Sequence, residues 1–133
     1  MTVLVDTSVW IEFFSPRPVI ETAGLELLIG EKRVVTCLPV RAELLSGKIR
    51  GEKRHVVVRA LDSMVYVDPD WGKKETWDEL SGLSDLARCE KVGLPGLVDR
   101  MIVLAAKKSG SLLWTLDRKL RVFASAAGLQ AEG

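Results

Sequence analysis

The chain has 133 residues, 19 basic against 18 acidic, a formal net charge of +1 and 47% apolar residues. That is the size and make-up of one folded domain with its own core, which excludes disordered, collagen-like and disulfide-scaffold classes. A near-neutral balance gives no global attraction to nucleic acid, so any such contact must come from a local patch. Cys37 and Cys89 are far apart in apolar stretches and read as buried free thiols in a reducing compartment. The opening apolar run has no basic region before it and no cleavage site after it, and no stretch is long and uncharged enough to span a bilayer. The expectation is a soluble, cytoplasmic protein without membrane contact.

In chain order, residues 3–5 form a short, β-branched apolar run, the pattern of a strand covered on both faces. Helical spacing follows over 8–14 and 20–29. Residues 34–38 repeat the strand pattern, and Pro39 then stands where a first-turn helical proline belongs, opening a helix over 40–46. A basic helix is expected over 52–61 and an edge strand over 65–67. After Asp68-Pro69 turns the chain, a long helix is expected over 71–91, its regular part opened by the capping-box spacing of Thr76 and Glu79. A helix over 97–109 closes with Lys107, Lys108 and Gly110, a cationic last turn and a glycine stop. A third strong strand over 112–116, a helix over 118–126 and an edge strand over 129–131 complete the reading. Strand alternates with helix, so the fold class is α/β, with a mainly parallel central sheet between helical layers.

In such a sheet ligands bind beyond the carboxyl ends of the strands. Asp6 follows the first strand, Asp117 follows the 112–116 strand, and Glu43 lies near the start of the helix leaving the second strand. Asp99 opens a helix in which its neighbours three, four and seven residues on are Ile102, Val103 and Ala106, so it faces inward. Singly, Asp6 and Asp117 read as helix caps, Asp99 as a first-turn acid and Glu43 as a surface residue. Together, four acids converging on one sheet edge without matched bases repel one another and call for a cation. Carboxylates without histidine or cysteine suit Mg²⁺ or Mn²⁺, ions that activate water for attack on a phosphodiester.

Other constellations are weaker. The single histidine, His55, lies in a basic helix, Gly47-Lys48-Ile49 lacks the rest of a phosphate-binding loop, and the cysteine spacing fits no zinc site. Residues 41–62 hold six basic residues against three acidic ones, and Arg41, Lys48, Arg50, Lys53 and Arg54 are candidates for contact with RNA or a protein partner. Trp10, Trp71, Trp77 and Trp114 read as packing anchors rather than base-stacking platforms.

The stretch Val3-Leu4-Val5-Asp6-Thr7-Ser8-Val9-Trp10, the stretch Pro39-Val40-Arg41-Ala42-Glu43-Leu44, and Asp99-Arg100-Met101-Ile102 followed by Trp114-Thr115-Leu116-Asp117 resemble, in order and spacing, the acidic motifs of PIN-domain ribonucleases of the VapC type. The resemblance covers nearly the whole chain and implies one three-layer α/β/α PIN-like domain over residues 1–133. It implies that Asp6, Glu43, Asp99 and Asp117 are metal-binding and catalytic acids, with Asp6 and Asp99 anchoring the first ion and Thr7 and Thr115 in support. It further implies an Mg²⁺- or Mn²⁺-dependent endoribonuclease, the toxin of a type II toxin–antitoxin pair that cuts tRNA or rRNA. The implied partners are a VapB-type antitoxin, a second copy of the chain and higher assemblies with the antitoxin. Many relatives carry a further acid two residues after the last motif aspartate, where this chain has Lys119. The rival readings are an aspartyl-phosphate phosphatase or receiver-type domain, which lacks its second acid at Ser8, and a non-catalytic interaction module whose acids only cap helices.

Overall fold

A computed structural model describes residues 1–18 and 22–131, with the side chain of Lys48 also outside the described set. Four strands, β1 (Val3–Val5), β2 (Val34–Thr36), β3 (Val65–Tyr66) and β4 (Leu112–Trp114), form one parallel sheet in the order β3-β2-β1-β4. Leu4 pairs with Val35 on one side and Leu113 on the other, while Thr36 pairs with Tyr66. Every residue of β1 and β2 is buried, which is why these strands read as unbroken apolar runs: helices cover both faces of the sheet. From β1 the chain steps outward to β2 and β3, then crosses back to put β4 on the far side of β1. The two connections diverge between β1 and β4, and a crevice opens there beyond the strand ends.

The helices are α1 (Thr7–Phe13), α2 (Thr22–Gly30), α3 (Leu38–Glu43), α4 (Glu52–Asp62), α5 (Lys74–Glu90), α6 (Leu97–Ser109) and α7 (Arg118–Ala126). The start expected for α2, Ile20, lies outside the described residues. Trp10, 1% exposed, stacks on Phe14 at 5.9 Å and meets Phe13 edge-on at 5.8 Å. Leu4, Leu113, Ile102, Leu120 and Phe123 are fully enclosed in the same core. Trp114 is also buried and Trp71 packs against the core, so these tryptophans are anchors, whereas Trp77 is exposed and donates its Nε1–H to the Trp71 carbonyl at 2.7 Å.

Several boundaries move for identifiable reasons. β2 stops at Thr36 because Asp68, from beyond β3, accepts the Leu38 N–H with both carboxylate oxygens at 3.0 Å and draws Leu38 and Pro39 into the first turn of α3. Asp68 also accepts the Trp71 Nε1–H at 2.8 Å. α3 then widens into a π-type turn, Leu44–Lys48, where Gly47 takes φ 95°, a conformation open to glycine. The capping box at Thr76 does not form: α5 begins at Lys74, and Thr76 Oγ1 instead donates to the Asp70 carbonyl at 2.7 Å in the folded-back turn. Gly110 ends α6 in the left-handed conformation at φ 69°, as its sequence position predicts. The stretch 129–131 contributes a single bridge, Gln130 opposite Leu113. Cys37 is buried, but Cys89 lies exposed on α5, and both are free thiols. Among the described residues no helix is long and apolar enough to cross a membrane.

Asp68 fixes the start of the helix that carries Glu43. Asp68→Ala orphans the Leu38 and Trp71 donors and is expected to destabilise the fold by about 1–2 kcal/mol, read as a lower urea midpoint with an unchanged slope.

Candidate metal centre

Three of the four expected acids meet at the carboxyl end of the sheet. Asp6, Glu43 and Asp99 each present an oxygen, and these atoms lie within 4.8 Å of one another. Asp6 is buried at the end of β1, whereas Glu43 at the end of α3 and Asp99 in the first turn of α6 are half-buried. Among the described residues no lysine or arginine forms an ion pair with any of the three.

Hydroxyl groups hold two of these carboxylates in place. Asp6 precedes α1, yet its side chain makes no capping bond. Instead Asp6 Oδ2 accepts the Ser8 Oγ–H at 2.8 Å and the Thr115 Oγ1–H at 2.7 Å. Both hydroxyls are aimed at the carboxylate because their own oxygens accept backbone N–H groups: Leu116 donates to Ser8 at 3.0 Å and Asp117 to Thr115 at 3.1 Å. Asp6 Oδ1 accepts no hydrogen bond among the described residues. Thr7 Oγ1 donates to Glu43 Oε1 at 2.7 Å, tying α1 to α3. The Asp6 N–H donates to the Trp114 carbonyl at 2.9 Å, linking β1 to β4 at the switch point.

Ser8 was not among the residues expected to support the site. Its signal is local: a serine two positions after a strand-end aspartate can turn back to the carboxylate it follows.

Asp117 stands apart from the three. It is exposed and accepts the Leu120 N–H at 2.9 Å as the cap of α7. Its charge nevertheless reaches Asp99, whose carboxyl is pushed up to about 6 by burial first and then by Asp6, Glu43 and Asp117. Below the cluster, burial pushes the Cys37 thiol up to about 12, with Asp68, Asp6 and Glu43 adding to the shift. Negative charge is thus concentrated here without an ion-pairing base among the described residues. An all-carboxylate donor set with a hydroxyl-braced oxygen fits a hard divalent cation such as Mg²⁺ or Mn²⁺.

The PIN domain family matches residues 3–126. The chain belongs to this family. Ribonuclease VapC11 of Mycobacterium tuberculosis and VapC ribonuclease Mb1587 of Mycobacterium bovis are each 24% identical over 131 residues, covering 97% of this chain and 96% of the relative. Among solved structures, FitAcB from Neisseria gonorrhoeae has the same fold at a TM-score of 0.66 and 22% identity, over 93% of this chain and 94% of that one. FitAB bound to an IR36 DNA fragment gives a TM-score of 0.66 at 20% identity, over 93% and 91%.

Most of the candidate bases of this PIN domain contact its own backbone or an acid. Arg41 pairs with Asp62 at 2.6 Å and donates to the Tyr66 hydroxyl at 2.9 Å. Arg50 donates to the Gly47 carbonyl at 3.2 Å, Lys53 to that of Phe14 at 3.1 Å and Arg54 to that of Leu45 at 2.8 Å. The last three close open carbonyls near helix ends, a common use of basic side chains. The Lys48 side chain lies outside the described residues.

The raised Asp99 carboxyl sets a pH dependence. Between its ordinary value of 3.8 and about 6, native Asp99 holds a proton that the unfolded chain has released. Metal-free stability is therefore expected to fall as pH rises through that window, and millimolar Mn²⁺ at pH 7 to restore it. Melting curves in EDTA and in Mn²⁺ check this: Asp99→Asn should flatten the profile and abolish the Mn²⁺ gain.

Proposed function

We propose that the chain is an Mg²⁺- or Mn²⁺-dependent endoribonuclease, the toxin of a type II toxin–antitoxin pair, hydrolysing phosphodiester bonds in structured RNA such as tRNA or rRNA. The observation that carries this reading is the convergence of Asp6, Glu43 and Asp99, with no ion pair to a base among the described residues. Family membership and the mycobacterial ribonucleases support it.

Asp6 and Asp99 would anchor the cation and Glu43 would complete its carboxylate ligands, with Asp117 acting from the rim through its charge. When bound, such a cation supplies a water of lowered pKa and positive charge for the oxygens of the reacting phosphate. The chain's own part is to hold the acids. Ser8 and Thr115 fix Asp6 Oδ2, Thr7 fixes Glu43 Oε1, and Asp99, with a pKa of about 6, is ionised at neutral pH.

The reading includes a cytoplasmic setting, a VapB-type antitoxin, a homodimer and higher assemblies of the two proteins. A groove of about 410 Å³ beside the acids is lined by Pro39, Ala42, Glu43, Ser46, Val98 and Met101. The exposed Leu38, Leu97 and Val98 add apolar surface of the kind that partner chains cover.

Incubation of the purified chain with tRNA and rRNA, resolved on denaturing gels, tests the activity. Cutting is expected in Mn²⁺ and not in EDTA, with none from Asp6→Asn or Asp99→Asn at retained fold. Loss of one brace, in Thr115→Val, is expected to slow cutting about ten- to a hundredfold. Full-rate cutting by Asp6→Asn would overturn the proposal, and a melting temperature indifferent to both Mn²⁺ and EDTA would favour a non-catalytic module.

A further inference from the structure

The bases of residues 41–62 are largely engaged within the chain, which leaves open what holds a polyanion near the acids. Arg118 and Lys119 directly follow Asp117, the rim acid whose charge reaches Asp99, at the start of α7. Both are exposed, and neither has a hydrogen bond or ion pair among the described residues.

They border a cleft of about 380 Å³ lined by Gly93, Arg118, Lys119 and Val122. Gly93 belongs to the loop that runs from α5 into α6, three residues before the Gly96 cap of the helix carrying Asp99. The cleft therefore lies between the two segments that lead to Asp99 and Asp117. The Lys119 stem rests on Gly93: a Cβ built there would lie 3.0 Å from Lys119 Cε and 3.8 Å from Cγ. The absence of a side chain at 93 gives the lysine room to lie along the loop.

A third cation, Arg121, is held in place by its Nη2–H, which donates to the Thr115 carbonyl at 3.2 Å. Thr115 is the residue whose hydroxyl braces Asp6. Positive charge thus begins one residue from the acidic rim and continues along α7, with no ion pair among the described residues.

We propose that this cleft is the phosphate track of the enzyme: Arg118 and Lys119 hold the backbone of the RNA strand as it leaves the acids, and the α4 bases do not. The inference rests on the RNA-cutting reading and assigns its substrate contact. Lys119 is a binding residue here, with no part in the reaction itself.

Fluorescence anisotropy with a labelled, mixed-sequence single-stranded RNA tests it, using the whole chain in EDTA over a series of KCl concentrations. Removing two phosphate contacts in the double variant Arg118→Ala, Lys119→Ala is expected to reduce the slope of log K against log salt by about 1.4. Its Kd at low salt should rise about tenfold or more, while Lys119→Arg and Arg54→Ala keep the wild-type slope. Unchanged circular dichroism and melting temperature exclude misfolding of the double variant. A double variant with the wild-type slope overturns the track, even if it has lost affinity for a protein partner. Mn²⁺-dependent cutting by the wild-type chain, followed in parallel, separates the two claims. Cutting with an unchanged slope sinks the track alone. A reduced slope without cutting sinks the nuclease reading and leaves an RNA-binding face, and a wild-type chain that neither binds nor cuts RNA sinks both.

Discussion

The structure is organised around a repulsion. Asp6, Glu43 and Asp99 come from three separate elements and are held with oxygens within 4.8 Å of one another. Like charges at that range oppose folding, and they add to burial, the larger cause, in pushing the Asp99 carboxyl up to about 6. The fold withstands the repulsion because each element bearing an acid is fixed from elsewhere: β1 in the middle of the sheet, α3 by Asp68, and α6 by the fully buried residues Ile102 to Ala106. Hydroxyls then orient the carboxylates without neutralising them. Net negative charge remains available for a cation.

How much of this was legible in the sequence depends on the range of the interaction. β1 and the start of β2 read correctly because burial on both faces writes itself as an apolar run, and Gly110 read correctly because a helix stop is a local event. The positions of the acids at strand ends follow from topology, so the convergence of Asp6, Glu43 and Asp99 could be anticipated. What the sequence does not carry is competition between distant groups. Asp68 claims the Leu38 N–H across 30 residues and shortens β2, and the Asp70 carbonyl takes the Thr76 hydroxyl that the capping box needed. Asp117 shows the same limit from the other side: a cap and a ligand look identical in one dimension, and here its Oδ1 caps α7 while its charge acts on Asp99.

The basic residues illustrate why charge counting is a poor guide to binding. The six bases in residues 41–62 form the strongest charge asymmetry in the chain. Yet Arg50, Lys53 and Arg54 close carbonyls of their own fold, and Arg41 is paired to Asp62. Arg118 and Lys119 are a smaller group without such engagements. A cation tied to its own backbone has less to offer a ligand than one that ordering would newly neutralise, so placement outweighs number.

The burial of Cys37 carries a consequence for observing this molecule. Cys37 stands at the junction of β2 and α3, and its thiol is fully enclosed and stays protonated at any ordinary pH. Alkylating reagents that take up Cys89 at once must wait for that junction to part before they reach Cys37. Because Glu43 travels with α3, the slow labelling phase becomes a clock for the dispersal of the acids themselves.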